Sequence, residues 1–123
     1  MTTELDPAWT AEELTSIRDG LVLAAERLRA ELAVLDSASA QAVSASTLEV
    51  LHDEIDIAAH RAELMQDAVQ VENTTAILEQ TEHVLARLDL GLYGTCERCS
   101  ASIARERLEA FPRATLCMTC VAA

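Results

Sequence analysis

The sequence predicts a mainly α-helical fold: a long antiparallel coiled-coil hairpin with a small C-terminal module built on four cysteines. Three observations carry that expectation. Apolar residues recur at three- and four-residue steps along two extended stretches, the pattern of a helix with one apolar seam. Half of the 123 residues are hydrophobic, but there is one Trp, one Tyr and one Phe. Alanine and leucine therefore dominate, which suits helices packed edge to edge better than a broad core. Finally, all four cysteines fall in two C-x-x-C pairs at the end of the sequence.

Residues 1–9 read as an N-terminal arm, in which Asp6-Pro7 can start a turn. Thr10-Ala-Glu-Glu13 is a capping box, with a hydroxyl and a carboxylate placed to satisfy each other's backbone amides. A first helix then spans about 10–36, its seam formed by Leu14, Ile17, Leu21, Ala24, Leu28, Leu32 and Leu35. From Asp36 to Ser46 small residues take over, and four serines compete locally for helical hydrogen bonds. The hairpin tip is accordingly expected over about 37–56. A second helix spans about 53–90, with Leu64, Ala68, Val71, Thr75, Leu78, Thr81, Leu85 and Leu88 as its seam, and Gly91 supplies a left-handed C-cap. Residues 10–90 thus form the hairpin and 91–123 the terminal module. The same seams could pair between copies, which periodicity does not separate; a monomer is the expected state.

The cysteine pairs, Cys96/Cys99 and Cys117/Cys120, are separated by 17 residues. Two residues between cysteines let one tight turn aim both sulfurs at one ion. A second pair then closes a tetrahedral cage with sulfur about 2.3 Å from the metal. No position stays open for a substrate, so the expectation is one structural Zn2+ held by Cys96, Cys99, Cys117 and Cys120. Iron in the same cage, two disulfides or a dithiol redox pair are the competing readings.

Charge narrows the partners. Residues 1–95 hold 18 acids and 5 Arg, and residues 96–123 hold 3 acids and 4 Arg. A body this acidic repels phosphates, so no direct nucleic-acid binding is expected; a basic protein surface suits it better. No signal peptide and no apolar run of 18 residues is visible, which points away from the membrane and toward the cytoplasm. His52, His60 and His83 lack ligand spacing for a second metal site, and no nucleophile–base or phosphate-loop pattern is present. A non-enzyme is expected.

Gly91-Leu-Tyr-Gly-Thr-Cys-Glu-Arg-Cys99, with Ile103, Arg107-Leu-Glu-Ala110, Pro112 and Ala114-Thr-Leu-Cys117, resembles the zinc-finger signature of the DksA/TraR family. Asp53-Glu-Ile-Asp56-Ile-Ala58 resembles the Asp-x-x-Asp-x-Ala motif that DksA-type members carry at the coiled-coil tip, at a similar distance from the finger. The resemblance implies a regulator of transcription that binds core RNA polymerase rather than DNA. It implies that the hairpin enters the secondary channel and brings Asp53, Asp56 and Ala58 near the active centre. Arg98 and Arg107 are candidate partner contacts. Three departures stand out. Ser100 replaces the family's usual glycine. Gln80, Phe111 and Val121 stand where members responsive to ppGpp carry basic residues, so ppGpp binding in that manner is not expected. The helix that DksA carries beyond its finger has no counterpart before Ala123. From chemistry alone, Asp53, Glu54 and Asp56 also read as first-turn acids complementing a helix dipole. Two other functional readings stay open: a zinc-thiolate redox or stress sensor, and a coiled-coil scaffold.

Overall fold

The computed structural model describes residues 9–48 and 54–122, with side chains described at 9–38, 54 and 56–122. Among the described residues there are four helices: α1 (Ala11–Leu48), α2 (Glu54–Asp89), α3 (Arg105–Ala110) and α4 (Met118–Ala122). A single antiparallel bridge, Thr95 to Ser102, is the extended pairing among the described residues. The chain divides into two compact units, Met1–Ala25 with Gln80–Ala123, and Glu26–Glu79.

The start of α1 follows from its first four residues. The Thr10 amide donates to Glu13 Oε1 at 2.9 Å, and the Glu13 amide donates to Thr10 Oγ1 at 3.1 Å. Both halves of the capping box are therefore made. Thr10→Ala should remove about 1 kcal/mol of stability, read as a lower midpoint in thermal melts; an unchanged midpoint would show that the box is redundant.

The other end of α1 departs from the expected end near residue 36, because the helix continues to Leu48. Alanines alternate with the serines here, and alanine has the best helix propensity of all residues. Propagating an existing helix adds one hydrogen bond per residue fixed, so a few tenths of a kcal/mol per serine do not stop it.

The seam of α1 is as expected: Leu14, Ile17, Leu21, Ala24, Leu28, Leu32 and Leu35 are all buried or half-buried, and Ala25 joins them. On α2 the seam is shifted by a fraction of a turn. Ala68 is exposed, whereas Thr74 and Val84 are buried beside Val71, Thr75, Leu78, Thr81, Leu85 and Leu88. Within the unit of residues 26–79, Thr74 Oγ1 donates to Glu31 Oε2 at 2.9 Å, so the buried hydroxyl is satisfied across the pair. Within the other unit, Arg18 pairs with Asp89. Both contacts match an antiparallel pairing of α1 and α2. At the end of α2 the Gly91 amide bonds to Leu88 O at 3.1 Å and the Leu92 amide to Arg87 O at 2.9 Å, with Gly91 at φ 76°. This is a Schellman cap, and glycine adopts its left-handed turn without strain.

Candidate metal centre

Two short structures deliver the two cysteine pairs. The first is a tight loop after α2. Its ends are joined by Ile103 N to Gly94 O at 2.8 Å and Cys96 N to Ala101 O at 2.8 Å, and the Ser100 amide returns to Cys96 O at 2.9 Å. That last bond turns the chain at Ser100, which sits at φ 67°. A side chain in this region costs about 1 kcal/mol, so Ser100→Gly should raise stability by about that amount. Chemical denaturation of the zinc-loaded protein would register it, and a loss of stability would contradict the assignment. In the second structure Cys117 immediately precedes α4, which contains Cys120, and the Val121 amide bonds to Cys117 O at 2.9 Å.

The four sulfurs all lie within 4.8 Å of one another. Cys99 Sγ and Cys117 Sγ are 3.7 Å apart, close to the edge of about 3.8 Å expected for a tetrahedron with 2.3 Å zinc–sulfur bonds. Their acidities diverge. The Cys117 amide lowers the Cys96 thiol to about 6, and the Cys120 amide lowers that of Cys117. Burial, then the neighbouring sulfurs, push Cys120 up to about 12. Four crowded thiols cannot all ionise unless a cation sits among them, and backbone amides are already aimed at two of the sulfurs. The donor set therefore fits a thiophilic divalent ion.

Around the cage, Glu97 ties both cysteine arms to α2. Its amide donates to Thr115 O at 2.9 Å, its Oε2 accepts from Thr115 Oγ1 at 2.5 Å, and its Oε1 meets His83 Nε2 at 2.8 Å. The Thr115 hydroxyl, and after it His83, hold the Glu97 carboxyl below its usual range. Four further bonds fasten the module, and each ends on a main-chain oxygen. Arg87 Nη2 donates to Thr95 O at 2.8 Å, Gln80 Nε2 to Arg113 O at 2.9 Å, Tyr93 Oη to Pro112 O at 3.0 Å and Arg107 Nε to Leu116 O at 3.3 Å.

Cys96, Ile103 and Leu108 are fully buried, with Tyr93, Ala114, Leu116 and Trp9 packed against them. Phe111, although apolar and next in sequence to this core, is 61% exposed. It is the C-cap of the six-residue α3, and its amide is bound to Arg107 O, which leaves the ring outside. Trp9 takes the aromatic place. It meets Tyr93 edge-on at 5.7 Å, and the Arg105 guanidinium lies 3.9 Å above its ring. Arg105 Nη2 also donates to Glu13 Oε1 at 2.7 Å, so the capping box of α1 is bonded to α3. A Cβ at Gly94, which sits at φ 86°, would come within 3.2 Å of Trp9 Nε1.

The expected site residues fall in different places. The four cysteines converge. Arg98 is exposed, with Nη1 3.4 Å from Cys120 O, and Arg107 is half-buried with its guanidinium 5.7 Å from the Phe111 ring centroid. Asp56 and Ala58 are exposed in the first turns of α2, and Asp53 lies outside the described residues. Sequence reasoning missed Trp9, His83, Glu97 and Thr115. Trp9 had a local signal, since a hydrophobic residue just before an N-cap often packs as a staple.

Residues 91–122 match the family described as prokaryotic dksA/traR C4-type zinc finger. The solved structure of transcription factor DksA2 from Pseudomonas aeruginosa has a similar fold, with a TM-score of 0.75 and 24% sequence identity over 93% of this chain and 84% of that one. No curated protein matches the chain. The C4-type match and the clustered sulfurs together support one structural zinc. Among the described residues, no helix is long and apolar enough to cross a membrane.

Proposed function

We propose that this chain is a DksA/TraR-like regulator of transcription that binds core RNA polymerase through the secondary channel, as a monomer in the cytoplasm and without direct nucleic-acid contact. The observation that carries the reading is the dksA/traR C4-type match at residues 91–122, on a fold similar to that of a transcription factor. In this reading Cys96, Cys99, Cys117 and Cys120 ligate the zinc, and the zinc orients residues 91–123 against the hairpin of residues 10–90. Asp53, Asp56 and Ala58 act near the polymerase active centre, Arg98 and Arg107 contact the partner, and ppGpp is not a ligand.

The chemistry is consistent with this division of labour. Four thiolates saturate a tetrahedral zinc, so the cage has a structural role and no open coordination position. The exposed carboxylate at Asp56 can approach a metal ion or a mobile loop of a larger machine. Purified core polymerase should retain the zinc-loaded chain in a pull-down, and a Gre-type channel factor should displace it. No retention at about 10 µM removes the reading. Asp53→Asn with Asp56→Asn should spare binding and change promoter output; unchanged output would reduce these acids to helix-start charges.

A further inference from the structure

α2 is apolar on two sides, and within the unit of residues 26–79 only one of them faces α1. With about 100° of turn per residue, Val71, Thr74 and Leu78 point one way. Ala62, Met65, Val69 and Ala76 fall within about 60° of one another on the opposite side. All four of the latter are exposed, Met65 by 71% and Val69 by 56%. Their spacing of three, four and seven residues repeats that of the buried seam, so they form a second stripe, about 21 Å long. Isolated exposed apolar residues are ordinary on a surface; a line of four at helix-packing spacing is the form of a helix-docking face.

The stripe has a charged edge. Glu72 and Glu79, seven residues apart, run along one side of it, with Arg61 on the same side at its N-terminal end, and all three are exposed. The surrounding segment, residues 26–79, holds 11 acids and 3 Arg. A second copy of a chain with net charge −12 would be repelled by this field, whereas a cationic helix would be drawn in by it. The alanines at the two ends of the stripe allow close approach of a second backbone.

We infer that this outer face of α2 seats one amphipathic helix of a partner protein, apolar at heptad steps and carrying Lys or Arg along the edge that meets Glu72 and Glu79. The inference does not depend on the polymerase reading. The probe is a labelled three-heptad peptide with Leu at its a and d positions and Lys along one edge, titrated with the full zinc-loaded chain and followed by fluorescence anisotropy. Saturable binding is expected, weakened at least about tenfold by Met65→Gln with Val69→Gln and about threefold or more by Glu72→Gln with Glu79→Gln. The charge variant should also flatten the salt dependence. All four positions are exposed, so circular dichroism and zinc content should be unchanged in both variants. Three results would overturn the inference: no binding at about 100 µM, binding that ignores the Met65/Val69 pair, or sedimentation showing that the chain dimerises through this face.

Discussion

Removing the zinc with a chelator should unfold the module of residues 91–122, and Trp9 should report it. Structural zinc contributes about 10–16 kcal/mol in small modules, more than the residue of apolar burial here can replace. Only Cys96, Ile103 and Leu108 are fully buried in that core. The chain has a single Trp, and its ring lies against Tyr93, Arg105 and the backbone at Gly94. Its emission should therefore shift toward that of an exposed indole as the metal leaves, while most helical ellipticity, which comes from α1 and α2, persists. Cys117→Ser should reproduce the shift at saturating zinc. If complete metal removal left the Trp9 spectrum unchanged, the cage would not be structural.

Leu108→Ala should be the most damaging apolar truncation. Leu108 is 1% exposed and is the largest fully buried side chain among the described residues, and its Cδ1 would lie 3.6 Å from a Cβ at Gly94, beside the Trp9 ring. A loss of about 2–5 kcal/mol is expected, because the cavity would open in a cluster that includes Cys96, Cys117 and Cys120, and residues held by the cage relax into it only partly. Urea unfolding followed by Trp9 emission would measure it. The control is Phe111→Ala, which should cost less than about 1 kcal/mol despite removing more carbon, since the ring is mostly exposed and the Arg107 guanidinium lies 5.7 Å from its centroid. The reverse ranking would refute the described core.

What could be read from the sequence had local causes. The capping box at Thr10 and Glu13 joins residues three apart, the seam of α1 repeats within each turn, and C-x-x-C spacing is set by the reach of one turn. Gly91 ends α2 by a backbone geometry that glycine alone adopts freely. What could not be read was decided elsewhere in the chain. Apolarity alone does not distinguish Trp9 from Phe111. The distinction comes from the space over Gly94 and the cation of Arg105, 85 and 96 residues from Trp9. The His83–Glu97–Thr115 chain joins three polar residues with no common period. Ala68 leaves the expected seam and Val84 joins it because the α2 face is set by how α1 meets it, and alanine tolerates either side. The extension of α1 to Leu48 shows alanine outweighing serine in a stretch where the two alternate.

The fastening of the module to α2 has a consequence for how this protein can vary. Arg87 and Gln80 reach Thr95 and Arg113 at their carbonyl oxygens, and inside the module Tyr93 and Arg107 reach Pro112 and Leu116 in the same way. Every residue type offers a carbonyl. The donors are therefore tied to their identities, while the acceptor positions are free of theirs as far as these bonds are concerned. Substitution at Thr95, Pro112, Arg113 or Leu116 leaves each attachment point in place, but substitution at Gln80 or Arg87 removes one outright. Apart from Glu97, Thr115 and Arg105, whose side chains carry ties of their own, such one-sided dependence lets the outer surface of the module be rewritten for a new partner without loosening its mounting.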